Sequence, residues 1–201
     1  MKRKNDRKLQ IIEAAIKIFA HKGFYHAKVA DVAKEAGVAD GTIYLHFKNK
    51  DDILISLFEI KMEEILSRFH AAINKKTNPI KKLKLFIELY FKLIEEDQNL
   101  AEVFQVELRQ SSKFLKDYHN QKFIDFLNII GQIIKEGQQQ GEFRSDFHIN
   151  TMKIAIFGAL DELARQWILS NDPKFNLRDV AVEMTRTIVA GLLPINTGDV
   201  L

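Results

Sequence analysis

Apolar residues recur every three or four positions along almost the whole chain, which is the period of an amphipathic α-helix. In the first such segment Leu9, Ile12, Ile16 and Phe19 share one helical face, and Gly23 follows as a stop signal. No stretch shows the strict alternation of a half-buried strand, and the chain has only 3 prolines. The pattern therefore predicts an all-α protein of about nine helices.

Capping residues and turn residues place the boundaries of these helices. The predicted ranges are about 7–22, 29–36, 40–46, 49–73, 79–95, 98–110, 112–139, 148–170 and 176–193. Asn49 is the expected N-cap of the fourth helix, with Asp52 three residues later as in a capping box. Pro79 suits the first position of the fifth helix, because its missing N–H has no helical partner there.

The second and third predicted helices form the most informative unit. Ala33 is small where the two helices must cross, and Gly37 can adopt the left-handed conformation of a sharp turn. Val38 and Ile43 are apolar and can hold the third helix onto the second. With the first helix they predict a helix-turn-helix domain at residues 1–47, followed by a larger helical domain at residues 48–201.

The side chains left on the third helix suit contacts with duplex DNA. Gly41 lets a phosphate backbone come close, and Thr42 and Tyr44 offer hydroxyl groups. His46 can donate a hydrogen bond to the backbone or to a base edge. Lys50 follows the helix at a place where a duplex backbone would pass.

Charge is distributed unevenly along the chain. Residues 1–50 carry 11 Lys and Arg against 5 Asp and Glu, whereas residues 51–201 carry 19 against 22. A basic head on a mildly acidic body favours binding to a polyanion. Lys2, Arg3 and Lys4 would then act as a flexible arm in a neighbouring minor groove. The alternative is a basic tail that only increases solubility.

Composition and motifs argue against several other classes of protein. The absence of cysteine excludes disulfides, thiolate metal sites and a cysteine nucleophile. No enzyme motif is found and the six histidines lack ligand spacing, so neither a catalytic nor a metal site is expected. Without an apolar run of about 18 residues or a secretory signal, we expect a cytoplasmic protein with no membrane partner.

The segments VADVAKEAGV and GTIYLHFKNKDDIL resemble the N-terminal domain of TetR-family transcriptional regulators. The resemblance implies a homodimer that binds a palindromic operator in double-stranded DNA. By the same resemblance the DNA-facing residues are Lys28, Gly41, Thr42, Tyr44, His46 and Lys50. Members of the family often carry threonine or serine just before the second helix, where this chain has Ala27 and Lys28.

Phenylalanines dominate the second domain, which holds 12 of the 15 in the chain. They either fill the core or line a pocket for an apolar ligand. The candidate ligand residues are Phe91, Phe104, Arg109, Phe123, Phe157 and Asp161. Instead of binding a ligand, Asp161 could form an i, i+4 salt bridge with Arg165. Gly158 interrupts an apolar helix, as expected where a ligand or another helix comes close.

Within the family, VELRQS and FGALDELARQWIL resemble the acyl-CoA-responsive repressors of fatty-acid degradation. That resemblance implies a long-chain acyl-CoA effector and no cofactor, with Arg109, Lys113 and Lys116 near the CoA phosphates. It also implies repression of fatty-acid degradation genes that is relieved by the effector. Two alternatives stay open: a TetR-type regulator of a drug or other lipid, and a helical interaction module that does not bind DNA.

The last two predicted helices are expected to form the dimer interface, as the family does with a four-helix arrangement. The candidate residues are Trp167, Ile168, Val182, Ile188 and Leu192. The alternative is that these side chains belong to the core of a single chain. A dimer also suits DNA binding, because one short helix reads few base pairs and two read a palindrome.

Overall fold

A computed structural model of the chain describes residues 2–110, 120–170 and 172–194, with side chains described except at residues 2–5, 109 and 110. The helices are α1 (Lys2–Lys22), α2 (Val29–Glu35), α3 (Asp40–Tyr44), α4 (Lys50–Ile73), α5 (Pro79–Glu96), α6 (Gln98–Gln105), the 3-10 helix η1 (Glu107–Gln110), α7 (Gln121–Gln139), α8 (Ile149–Leu169) and α9 (Leu177–Leu192). The described residues therefore confirm the all-α prediction.

Two helix boundaries differ from the sequence prediction by more than two residues. The backbone is helical from Lys2 onward, so the basic residues 2–4 extend α1 and do not form the expected flexible arm. The predicted sixth helix is divided, because α6 ends at Gln105 and η1 follows from Glu107. The start of the seventh predicted helix lies outside the described residues.

The start of α4 agrees with its predicted cap. The Asn49 Oδ1 atom accepts a hydrogen bond from the Asp52 N–H at 2.9 Å. The Asp52 carboxylate in turn accepts from the Lys48 N–H at 2.8 Å, one residue earlier than in a standard capping box. Asp51 and Asp52 also suit the positive end of the helix dipole.

The chain forms two compact units that differ from the predicted division after residue 47. The first unit comprises residues up to Glu63 together with Asp97–Asn120, and the second comprises Glu64–Glu96 and the residues from Gln121 onward. The difference has two causes: α4 continues without a break past the predicted boundary, and α6 packs against α1.

The core of the first unit lies between α1, α2 and α3. Ile12 and Phe19 of α1 are fully buried together with Ala33 of α2 and Ile43 of α3. The Phe19 ring meets that of Phe24 edge-on, with centroids 5.4 Å apart. Burial of these side chains explains why the short helices α2 and α3 are stable, since helices of this length are marginal alone.

Aromatic rings in contact form the centre of the second unit. The rings belong to Phe69, Phe86, Tyr90, Phe91, Phe123, Phe126 and Phe157. Neighbouring centroids are 5.0 to 6.2 Å apart, mostly in edge-to-face geometry, which is the favourable arrangement for such pairs. These rings, the aromatic network from here on, connect α4, α5, α7 and α8.

A half-buried ion pair joins α5 to α7 beside this network. Lys82 Nζ lies 2.5 Å from Glu136 Oε2, and this hydrogen bond holds the pKa of Glu136 below its ordinary value. Leu192, the last residue of α9, is only 1% exposed. Its carbonyl accepts a hydrogen bond from the Arg144 N–H at 2.9 Å. Leu192 therefore packs inside its own unit, and its prediction as a dimer-interface residue is wrong.

None of the helices in the described ranges combines the length and the apolar character needed to cross a bilayer.

Two glycines of α7 offer a sensitive test of the second unit. A Cβ at Gly137 would overlap the buried ring of Phe143, whereas a Cβ at Gly131 would lie 3.4 Å from Lys153 Cδ, an ordinary contact. We expect Gly137→Ala to lower the free energy of unfolding by roughly 1–3 kcal/mol through overpacking. Gly131→Ala should leave it unchanged or raise it by up to about 1 kcal/mol through helix propensity. Urea denaturation followed by circular dichroism measures both, and equal effects would contradict the packing of α7.

Candidate nucleic-acid interface

The turn between α2 and α3 has the sharp geometry that the sequence predicts. Gly37 adopts φ 63°, a left-handed conformation that side chains disfavour. The Gly37 N–H donates to the Lys34 carbonyl at 3.1 Å, and the Val38 N–H donates to the Ala33 carbonyl at 3.0 Å. This pattern ends α2 as a Schellman motif does and turns the chain directly into α3.

Helix α3 is anchored by two side chains one turn apart. Ile43 lies within the helix and Phe47 just beyond it, and both are almost completely buried. The Phe47 N–H donates to the Ile43 carbonyl at 2.9 Å, so the helical path continues to this second anchor. Because Ile43 and Phe47 point inward, they determine which faces of α3 remain outside.

The outer face of α3 carries residues 41, 44 and 45, which share one side at i, i+3 and i+4 spacing. Tyr44 is 59% exposed, Leu45 is 74% exposed, and a Cβ at Gly41 would meet no described atom within 4 Å. Thr42 and His46 lie on the flank of the helix and are half-buried. The structure therefore brings four predicted DNA residues to α3, with Gly41 and Tyr44 in the outermost positions.

Lys50 makes contacts within the protein, which the sequence did not predict. Its Nζ atom donates to the backbone carbonyls of Phe24, Tyr25 and Ala27 at 2.5, 3.0 and 3.0 Å. It also lies 4.6 Å above the centre of the Phe24 ring. Burial lowers the pKa of Lys50, whereas the three acceptors favour its charged form. With all three N–H groups used, a phosphate contact by Lys50 would require these bonds to be given up.

A buried carboxylate holds the same loop from the opposite side. Glu107 of η1 is almost fully buried and accepts a hydrogen bond from the Phe24 N–H. Its oxygens would be 3.7 and 3.9 Å from a Cβ at Gly23, so they fit closely against the loop backbone. Burial, and to a lesser extent the negative charge of Glu107, raise the pKa of Glu102. The backbone of Phe24 is thus fixed at its N–H by Glu107 and at its carbonyl by Lys50.

The start of α2 is capped, although this chain lacks the threonine or serine that TetR-family members often carry there. The Lys28 N–H donates to Asp31 Oδ2 at 3.0 Å, while the Lys28 side chain makes no capping bond. Asp31 also pairs with Lys22 at 2.7 Å, and this hydrogen bond lowers the pKa of Asp31. The exposed Lys28 side chain is therefore not needed for the cap.

Three exposed lysines of the helix-turn-helix make no ion pair with the described residues. They are Lys28, Lys34 and Lys48. By contrast, Lys17 pairs with Glu35 at 3.1 Å. The sequence pattern did not single out Lys48, although it lies between His46 and Lys50, or Leu45, whose apolar side chain offers no hydrogen bond.

The predicted ligand residues fall in both units. Phe91, Phe123 and Phe157 belong to the aromatic network of the second unit. Phe104 lies in the first unit, where its ring centre is 5.3 Å from that of Phe58. The structure therefore brings three of the four predicted phenylalanines into one network.

Of the two charged ligand candidates, Asp161 and Arg109, the structure describes the side chain of Asp161 only. Asp161 accepts a hydrogen bond from the Tyr90 hydroxyl at 3.3 Å, at the edge of the aromatic network. The guanidinium of Arg165 bonds Glu162 at 2.6 and 2.9 Å rather than forming the alternative bridge to Asp161. The hydrogen bond to Glu162 raises the pKa of Arg165, and the charge of Asp161 adds a smaller contribution. The side chain of Arg109 lies outside the described residues, as do Lys113 and Lys116. Across the described ranges, no three acidic or histidine side chains gather as a metal site would require.

The remaining dimer candidates lie on α8 and α9 with partial or full exposure. Val182 is exposed, whereas Trp167, Ile168 and Ile188 are half-buried. A Cβ at Gly158 would meet no described atom within 4 Å, so none of the helices in the described ranges comes close to it. The prediction that these positions contact a partner stays a prediction.

Comparison with known proteins gives matches over nearly the whole chain. A family model described as bacterial regulatory proteins, tetR family, matches residues 11–57, and one described as YsiA-like protein, C-terminal region, matches residues 58–191. The fatty acid metabolism regulator protein of Bacillus subtilis (strain 168) is 41% identical over 192 residues, covering 96% of this chain and 98% of its own length.

Two solved structures show the same architecture. One is a crystal structure of the transcriptional regulator FadR from Bacillus subtilis in complex with stearoyl-CoA, with 41% identity and a TM-score of 0.85 over 92% of this chain and 98% of that one. The other is the fatty acid degradation regulator FadR from Bacillus halodurans, with 37% identity and a TM-score of 0.86 over 92% and 96%. In both cases the likeness covers both units.

The neighbouring lysines 48 and 50 form a matched pair for testing the structural role of Lys50. Lys50→Met leaves three loop carbonyls without their donor and should lower the free energy of unfolding by roughly 1–3 kcal/mol. Lys48→Met, at an exposed position, should change it by less than about 0.5 kcal/mol. Thermal unfolding of the two variants and the unchanged protein measures the difference. If the two variants are equally stable, Lys50 does not hold the loop.

Proposed function

This chain belongs to the TetR family of bacterial regulatory proteins, and on that premise we propose that it is a transcriptional repressor that binds DNA through α3. The observation that carries the proposal is the outer face of α3, where Gly41 and Tyr44 are exposed beside lysines that make no ion pair with the described residues. In helix-turn-helix proteins the second helix enters the major groove, while flanking residues contact the backbone. Lys28 and Lys48 contact the DNA backbone. Thr42 and His46, on the flank of α3, add further contacts to the duplex.

The repressor acts as a homodimer on a palindromic operator. Two copies of α3 related by a twofold axis read two half-sites, which compensates for the few base pairs that one short helix covers. Exposed apolar side chains on the two C-terminal helices support this assembly, because a single chain leaves them in water. They are Ile154, Leu169 and Val182. The open space beside Gly158 allows a partner helix to approach closely.

The effector of this repressor is a long-chain acyl-CoA. The relative from Bacillus subtilis that was crystallised with stearoyl-CoA is 41% identical and aligns over 98% of its length. The aromatic network supplies the apolar surroundings that an acyl chain needs, and pockets for such ligands are mostly apolar with few polar groups. The Tyr90 hydroxyl and the Asp161 carboxylate, which are hydrogen-bonded to each other, are such polar groups at the edge of the network. The regulated genes are those of fatty-acid degradation.

Release from DNA follows from a difference in affinity between two conformations. An acyl-CoA that binds better to a conformation with low DNA affinity shifts the protein towards it. A coupling free energy of about 1–3 kcal/mol changes operator affinity by about 5–150-fold. By linkage, operator DNA weakens acyl-CoA binding by the same factor.

Gly41→Ala separates DNA binding from folding. The new methyl group meets no described atom of the protein, and alanine favours a helix by about 1 kcal/mol, so the melting temperature should stay the same or rise. A duplex backbone at van der Waals distance from Gly41 would be pushed away, and we expect affinity to fall at least about 10-fold, the equivalent of about 1.4 kcal/mol. Fluorescence anisotropy with a duplex selected from a random pool measures this, with Lys34→Ala as a control on the basic surface. Unchanged affinity would show that the DNA backbone does not approach Gly41.

Acyl chain length tests the effector assignment. Stearoyl-CoA should weaken binding of the selected duplex by about 5–150-fold, whereas CoA without an acyl chain should have no effect. Phe157→Trp adds volume to the aromatic network and should shift the most effective chain towards shorter acyl groups. Tyr90→Phe keeps the ring and removes only the hydroxyl bonded to Asp161, so its preferred chain length should match that of the unchanged protein. If no acyl-CoA from 8 to about 20 carbons weakens DNA binding, the effector assignment is wrong.

A further inference from the structure

The end of α3 presents a large, exposed apolar side chain. Leu45 directly follows the last helical residue, and 74% of it is exposed, compared with 59% for Tyr44 one residue earlier. Exposed apolar residues are common on protein surfaces and carry no meaning one at a time. This one differs in its position, because it shares the outer face with Gly41 while Ile43 and Phe47 hold the opposite face in the core.

The surroundings of Leu45 are those of a polyanion-binding surface. Lys48 lies three residues later, exposed and without an ion pair among the described residues. Thr42 and His46, the polar neighbours, are half-buried on the flank and so project less far than Leu45. A helix that presents this face to a duplex places an apolar side chain deepest, with the charge of Lys48 at the edge.

The chemistry of the major groove leaves one natural partner for such a side chain. Base edges in that groove present hydrogen-bond donors, acceptors and the C5-methyl group of thymine, which is the apolar feature among them. Leucine can neither donate nor accept a hydrogen bond, so it would leave a donor or acceptor unsatisfied if it covered another base edge. Against a thymine methyl it buries apolar surface on both sides.

We infer that Leu45 is a specificity-determining residue that reads a thymine methyl group in each half-site of the operator. The inference rests on the proposed DNA-binding function and goes beyond it by assigning sequence preference to an apolar contact. Lys28 and Lys48 then contribute affinity for any duplex, while Leu45 contributes discrimination between thymine and other bases.

The test replaces single thymines by uracil, which lacks the C5-methyl group and keeps the same hydrogen-bonding edge. A duplex is first selected from a random pool with the full chain, and each thymine is then replaced symmetrically in both half-sites. Removing one methyl contact from each half-site should weaken binding on the order of 15-fold, since one buried methyl group corresponds to about 4-fold. Anisotropy titrations at constant salt give the affinities.

The decisive comparison is between the unchanged protein and Leu45→Ala. The variant should bind the thymine duplex on the order of 15-fold more weakly and should be insensitive to the uracil replacement that affects the unchanged protein. Leu45→Met, which keeps an apolar side chain, should retain most of the sensitivity. Because Leu45 is exposed, all three proteins should share one melting temperature, so a folding defect cannot produce this pattern.

Three results would overturn the inference, and they differ from failure of the proposed function. Uracil could weaken Leu45→Ala as much as the unchanged protein, in which case another residue contacts the methyl group. No single replacement could weaken the unchanged protein, in which case no thymine methyl is read. Leu45→Ala could bind as tightly as the unchanged protein. If no duplex is enriched from the pool at all, the DNA-binding function itself fails.

Discussion

The backbone of Phe24 is the point on which the first unit depends. Glu107 accepts a hydrogen bond from its N–H and Lys50 donates one to its carbonyl, so one loop is held by residues that are far apart in the sequence. The ammonium group of Lys50 reaches two further carbonyls of the same loop and lies over the Phe24 ring. Both groups are charged, and hydrogen bonds to charged groups are stronger than neutral ones. The loop between α1 and α2 is therefore fixed together with the start of α4.

Anchoring of α3 decides which side chains are available to DNA. Ile43 and Phe47 occupy the core, so the outer face consists of Gly41, Tyr44 and Leu45 by helical geometry alone. Such a face combines a position without a side chain, a phenol and an apolar group, with lysines around it. In DNA recognition, phosphate contacts position the protein and base contacts specify the sequence. The lysines suit the first role and the outer face suits the second.

The second unit combines close packing with features that fit an effector and a partner. Its aromatic rings contact one another closely, so the proposed acyl chain would have to displace side chains to enter the network. Such a change in packing would be transmitted to neighbouring helices, because closely packed cores tolerate few voids. Helix α9 buries Leu192 and exposes Val182, so it has a core face and an outer face.

The sequence alone determined the helical architecture, the turn at Gly37 and the cap at Asn49, because these depend on periodicity and on backbone preferences of neighbouring residues. The sequence also identified the polar residues of α3 and the phenylalanines of the network as candidates by their residue type. Only the tertiary structure decided that Lys50 binds loop carbonyls, that Arg165 pairs with Glu162 and that Leu192 faces inward. Such contacts depend on distances between segments and on the direction of each side chain. Exposure of Leu45 was likewise decided by the packing, because an apolar residue in a sequence is compatible with a core position as well as with the surface.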